Sequence, residues 1–84
     1  MKDEILAEIA RITKEKGFRL TFHAQEQMTA RKLELWQVKD ILLNPRRLIR
    51  VDQKEHTIYK IQGGRYNRKL AVVIKDNVIV ITVM

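Results

Sequence analysis

The dipeptide Asn44-Pro45 divides this chain into two halves with different periods. Before it, apolar residues recur at helical spacing: Ile5, Leu6, Ile9 and Ile12, then Leu35, Val38, Ile41 and Leu42. After it, the pattern shortens to the two-residue alternation of strands, rich in valine and isoleucine. Proline enforces the break, because its ring pushes the preceding residue out of the α region. Helices first and strands second is the signature of an α+β domain. With 84 residues there is room for one hydrophobic core, so residues 1–84 are read as a single domain.

The first half reads as three helices. Lys2–Lys16 is amphipathic and is closed by Gly17, a favoured residue just past a helix end. Phe18 and Leu20 anchor the connection that follows. Thr21 is a suitable N-cap for a second helix, Phe22–Lys32, and a third covers Glu34–Leu43. Trp36 sits off the centre of that helix's apolar stripe, which predicts a half-buried ring.

The second half reads as four strands. Arg47–Asp52 has Ile49 and Val51 on the side of Arg47. His56–Gln62 has Tyr59 and Ile61 on one face and Ile58 and Lys60 on the other. Gly63-Gly64 opens a loop through Asn67, followed by Lys69–Lys75, a two-residue hairpin turn at Asp76-Asn77, and Val78–Met84. The last two strands are apolar on both faces, so they lie centrally or one face meets a partner. The expected architecture is N-terminal helices packed on one face of a four-stranded antiparallel sheet.

Composition removes several chemistries. Cysteine is absent, which excludes disulfides and thiolate sites, and serine is absent, which excludes a serine triad. His23 and His56 are far apart with no metal-ligand spacing, and Gly63-Gly64 precedes a strand rather than a helix, unlike a phosphate-binding loop. No metal or cofactor is expected. No apolar run reaches the ~18 residues of a membrane span, and no signal-type segment follows Met1-Lys2-Asp3-Glu4. A cytoplasmic protein away from membranes is the expectation.

The formal net charge is +7 and its distribution is uneven. Residues 1–18 balance, so the excess lies beyond them. Between positions 46 and 69, Arg46, Arg47, Arg50, Lys54, Lys60, Arg65, Arg68 and Lys69 face only Asp52 and Glu55. Such a surface suits a phosphate backbone or an acidic protein. Tyr66 among these cations suits a base stack flanked by phosphates.

The stretch Thr21–Leu33 carries the most chemistry. Read as a helix, it puts His23, Gln27 and Arg31 in one i, i+4 row beside the apolar row of Ala24 and Met28. The same pattern also describes a solvated helix face. His23 and Arg31 are separated by a rise of about 12 Å, so they flank a ligand rather than touch. Metal-independent phosphodiester cleavage needs a base, an acid and cations for the phosphorane charge, and His, Tyr, Lys and Arg are the types that supply them. Thr82 is the only polar residue in an apolar strand.

Two sets of residues carry a resemblance. His23-Ala24-x-x-Gln27-Met28-x-x-Arg31-Lys32-Leu33, with Val38 and Leu42-Leu43-Asn44-Pro45, resembles the opening of the domain of unknown function 4258 family. Arg68–Met84, ending Val80-Ile81-Thr82-Val83, resembles its closing strands. Where that family often has arginine, this chain has Gln27. The resemblance covers residues 18–84 and implies kinship with the barnase/colicin/RelE-like small ribonuclease fold, whose members include toxins paired with antitoxins. It puts His23, Arg31 and Thr82 at the family's polar positions. The expectation is a RelE-like, RNA-binding, metal-independent ribonuclease of toxin type. His23 is its acid/base, Arg31 and Arg68 stabilise phosphate charge, and Thr82 orients the site. Arg46, Arg47, Arg50, Lys60, Arg65, Tyr66 and Lys69 hold the nucleic acid. The expected partners are RNA, an acidic antitoxin-like protein and further copies of the chain. The alternative is a non-catalytic module for nucleic acid or an acidic protein. A third reading is a small structural protein of a mobile element.

Overall fold

The computed structural model describes residues 2–84. They form an α+β domain of three helices and a five-stranded mixed sheet. The elements are α1 (Lys2–Lys16), β1 (Phe18–Leu20), α2 (Phe22–Ala30), α3 (Leu35–Leu43), β2 (Pro45–Gln53), β3 (Thr57–Gly63), β4 (Arg68–Ile74) and β5 (Val78–Val83). The sheet order is β1-β5-β4-β3-β2.

The expected four-stranded antiparallel sheet is corrected by β1, which pairs parallel to β5 with Phe18, Arg19 and Leu20 opposite Val78, Ile79 and Val80. Three residues are too few to show a period, yet the pairing has a clear cause. Strand β5 is apolar on both faces, and its outer row of N–H and C=O groups needs partners. Gly17, at φ +82°, turns the chain out of α1 and lays Phe18–Leu20 along that edge. The antiparallel meander β2-β3-β4-β5 stands as expected, with β4 at the centre of the sheet.

All three helices feed one core against one face of the sheet. Leu6, Ile9 and Ile12 of α1, Ala24 and Met28 of α2, and Val38, Ile41 and Leu42 of α3 meet Ile61, Leu70, Val72, Val78, Val80 and Val83. Thr13, the one buried polar residue among the described residues, donates its hydroxyl to the Ile9 carbonyl at 2.7 Å. Its burial is thereby satisfied within the helix.

Most element ends after α1 shift by a residue or two from the sequence reading, and two of the shifts have a clear cause. Helix α2 ends at Ala30 rather than Lys32, because Lys32 turns left-handed at φ +54°. The Lys32 N–H then donates to Thr29 O at 3.2 Å and the Leu33 N–H to Met28 O at 2.8 Å. This is a Schellman motif whose apolar contact is Leu33 with Met28, both in the core. At the β4–β5 hairpin the loop takes in Lys75 as well as Asp76 and Asn77, closed by Lys75 N–H to Asn77 O at 3.0 Å. Neither Asp76 nor Asn77 uses the left-handed region.

Gly63 and Gly64 are fixed by packing against α3. A Cβ on Gly63 would strike the backbone of Asn44 and lie 2.7 Å from Pro45 Cα. Gly64, at φ +75°, presses on Ile41 and Asp40. The two glycines let the β3–β4 loop close over the end of α3.

Candidate nucleic-acid interface

The face of the sheet away from the helices contributes nothing to the main core, and bulges decide what it displays. In β2, register shifts leave Arg46 and Ile49 without partners, so Arg47 pairs with Gln62, Leu48 with Ile61 and Arg50 with Lys60. Strict alternation would put Arg47 and Arg50 on opposite faces. The bulge at Ile49 brings both to the outer face and turns Leu48 and Val51 toward the helices, which corrects the expected sharing of one side by Arg47, Ile49 and Val51. In β5 the same device acts at Ile81, where Val72 pairs with Val80 and Ala71 with Thr82. Without it Thr82 would follow Val78 and Val80 into the core. With it Thr82 turns outward and Val83 takes the core position.

A cross-strand row therefore runs over the outer face as Arg50, Lys60, Ala71 and Thr82. It spans about 14 Å at ordinary strand spacing. A second row runs Arg47, Gln62 and Lys69. Arg19 on β1, level with Ile79, adds a cation at the opposite edge. Ala71 and Val73, in the middle strand, are each only 7% exposed.

Acids are nearly absent from this surface. Asp52 is the sole acid in the five strands, and its carboxylate accepts from Arg50 Nε at 2.8 Å. Asp3, Glu4, Glu8, Glu15, Glu26, Glu34 and Asp40 all lie in the helical layer or at its caps. Arg11, on α1, is engaged by this acidic set. Glu8, by hydrogen bond and by charge, and then Glu15 raise its pKa above the ordinary guanidinium value. The protein is thus polarised, with its unbalanced positive charge on the sheet.

Helix α2 holds its polar row against the free edge of β5. Thr21, the N-cap, accepts the Ala24 N–H at 3.1 Å, while its own N–H donates to Val80 O at 3.1 Å and its hydroxyl to Ile81 O at 3.4 Å. Six residues past the N-cap, Gln27 Oε1 accepts the Val83 N–H at 2.8 Å. The helix runs along β5 in the same sense, from Val80 toward Val83. His23 precedes Gln27 by one turn in the same row, and Arg31 follows by one turn as the C-cap; both are exposed.

The remaining predicted residues lie elsewhere. Arg68 pairs with Gly63 on the helix side of the sheet, and its guanidinium donates to Met84 O at 3.4 Å, so it does not share a face with Thr82. Arg65 and Tyr66 belong to the β3–β4 loop, beside Trp36 of α3. Arg46 lines a groove of about 800 Å³ between α1 and the α3–β2 junction, together with Asp3, Leu6, Asp40 and Arg65. Among the described residues no group of three or more His, Asp or Glu is gathered in a way that would hold a metal, and no helix is long and apolar enough to cross a membrane.

A family model, the domain of unknown function DUF4258, matches residues 20–84. The chain belongs to the DUF4258 family. No curated protein and no solved structure matches it. The DUF4258 match takes in every strand but the start of β1, together with His23, Gln27, Arg31 and Thr82, while α1 precedes it. Two residues of this DUF4258 protein escaped the sequence reading of the site. Arg19 was hidden in a strand too short to recognise, although it alternates with Phe18 and Leu20. Trp36 is the half-buried ring that its place on α3 predicts, 46% exposed, and what the sequence does not show is its contact with the basic loop.

Proposed function

We propose that this DUF4258 protein binds single-stranded RNA across the helix-free face of its sheet. The observation that carries the reading is the segregation of charge. Arg19, Arg47, Arg50, Lys60 and Lys69 share a face whose only strand acid is Asp52. A shallow basic sheet with aliphatic residues between the cations tracks a flexible backbone without demanding a groove. The reading includes a RelE-like kinship, which rests on the His23–Pro45 and Arg68–Met84 motifs, and a place in the cytoplasm.

Metal-independent cleavage is a second reading, favoured by the Gln27–Val83 hydrogen bond. That bond anchors the His23 row on the strand whose bulge turns Thr82 outward. In this scheme His23 exchanges the proton of a ribose hydroxyl, Arg31 neutralises phosphate charge and Thr82 orients the strand, as in a toxin-type ribonuclease. Arg68, turned to the helix side, supports the chain end rather than the phosphate. An acidic antitoxin-like protein would compete for the same cations.

The test of binding is fluorescence anisotropy with a labelled single-stranded RNA. The paired substitutions Arg50→Glu and Lys60→Glu are expected to weaken binding at least about tenfold, whereas the charge-matched pair Lys14→Glu and Lys39→Glu on α1 and α3 changes it little. Equal effects from both would mean that net charge alone drives association, and the sheet-face reading would fail.

A further inference from the structure

Trp36, Tyr66 and Arg65 form a cluster that the sheet-face reading leaves unused. The Trp36 and Tyr66 rings meet edge to face, with centroids 6.2 Å apart at 60°. Arg65 lies with its guanidinium carbon 5.8 Å from the Trp36 centroid. Exposure is the first anomaly: Tyr66 is 59% exposed and Trp36 46% exposed, although a small domain gains most by burying such rings.

The second anomaly is how firmly the cluster is held. Asp40 lies one helical turn after Trp36, and its Oδ2 accepts the Arg65 N–H at 2.6 Å. Asn44 Nδ2 donates to the other oxygen at 3.0 Å. The Asn67 N–H donates to Gly64 O at 3.2 Å, and Gln62 Nε2 to Asn67 O at 3.0 Å. On the other side, the indole N–H donates to Glu34 Oε2 at 2.5 Å. A loop pinned at both ends presents an aromatic pair and a cation to solvent, already ordered before any ligand arrives.

We infer that the Trp36–Tyr66–Arg65 cluster is a stacking site for one unpaired base of the bound RNA strand. The inference rests on the RNA-binding reading and extends it from backbone tracking to base contact. Three features favour a base. Exposed aromatic faces beside arginine accept any nucleobase by stacking. Glu34, next to the indole, repels a phosphate from the ring, while Arg65 offers a phosphate its place alongside. The cluster also adjoins the end of the basic sheet: Gln62 and Lys69, of the Arg47 row, lie one residue before Gly63 and one after Arg68, and residues 64–67 between them carry Arg65 and Tyr66 over to α3. A strand that passes the end of the sheet beside that row meets the loop on the side of α3.

Trp36 is the chain's only tryptophan, so its fluorescence reports on the site directly. The experiment titrates the full-length protein with an end-labelled single-stranded RNA and with an abasic strand of equal length, reading label anisotropy and Trp36 emission together. Both strands are expected to bind, and only the strand with bases quenches Trp36. Tyr66→Ala, at an exposed position with the tryptophan intact, should weaken the base-containing strand about tenfold and leave the abasic strand unchanged. Binding with no change in Trp36 emission, or an equal Tyr66→Ala effect on both strands, would overturn the stacking site and leave the sheet-face reading standing. Failure of both strands to bind at low salt would overturn both readings. A Trp36 shift that follows protein concentration without RNA, with a dimer in sedimentation, would assign the patch to contact between copies and overturn the inference.

Discussion

Gln27 closes the sheet by accepting the Val83 N–H at 2.8 Å. Strand β1 covers β5 only from Val78 to Val80, so the edge beyond it must be paired by α2. Val83 is fully buried, and its amide has no water to turn to. Gln27→Met keeps the length of the side chain and removes the acceptor. It should cost about 1–3 kcal/mol, the penalty of a buried unsatisfied donor. Gln27→Glu retains an acceptor and should cost less. Urea unfolding checks this: the Met variant should show a lower midpoint at an unchanged slope.

Gly63 and Gly17 should respond differently to alanine. At Gly63 the obstruction is backbone, with Pro45 Cα 2.7 Å from the added Cβ, so neither side can yield without moving β2 or the end of α3. Gly63→Ala is expected to cost about 2–3 kcal/mol or more by overpacking. At Gly17 nothing lies within 4 Å, and the cost is conformational, from φ +82°. Gly17→Ala should cost about 1 kcal/mol. Thermal melts of the two variants under one buffer would rank them, and a larger loss at Gly17 would contradict the packing account.

The helices and the meander were legible because each repeats its period several times. Helix α1 was legible to its ends, since Gly17 is the residue a helix terminus favours. The end of α2 was not, because Lys32 adopts the left-handed turn with nothing in its chemistry to announce it. Strand β1 escaped because three residues carry no period, and its pairing partner is about 60 residues away in sequence. The bulges at Ile49 and Ile81 were equally hidden: they are set by cross-strand register, while alternation read along one strand assumes that none is present. They matter most for the site, because they put Arg47 and Arg50 on one face and turn Thr82 out of the core. Of the candidate residues, Arg47, Arg50, Lys60, Lys69 and Thr82 are gathered by the sheet, whereas Arg46, Arg65, Tyr66 and Arg68 are not.

Salt dependence separates a phosphate-tracking face from other modes of binding. The logarithm of RNA affinity should fall linearly with the logarithm of salt concentration, by about 0.7 for each phosphate neutralised on a single strand. Removing Arg47 and Lys60 together, two outer-face cations without an acid partner among the described residues, should lower that slope by about 1.4, while Arg11→Ala, at a cation already engaged by Glu8 and Glu15, should leave it unchanged. Anisotropy titrations over a salt series measure both, and a salt-independent affinity would refute the electrostatic face.

Cleavage at His23 is the sharpest of these expectations. His23 is the second residue of α2, exposed, in the row that Gln27 fastens to β5. Its imidazole is therefore positioned by the helix rather than by a partner of its own, and replacing it should change stability by no more than about 0.5 kcal/mol. A group that moves a proton in the transition state contributes about 100-fold or more to the rate. His23→Ala should accordingly lower cleavage by about that factor while RNA binding persists. Arg31→Ala should weaken both binding and rate, because its charge acts on the bound and the reacting phosphate alike. Thr82→Val, which preserves shape and strand preference, should lower the rate and spare the fold. The assay is run in chelator, so that trace metal supplies no chemistry, and 2′,3′-cyclic phosphate ends identify attack by the ribose hydroxyl. Wild-type protein that binds RNA and leaves it whole under these conditions would establish the binding module alone. Cleavage that survives His23→Ala would keep an enzyme but move its proton transfer away from α2.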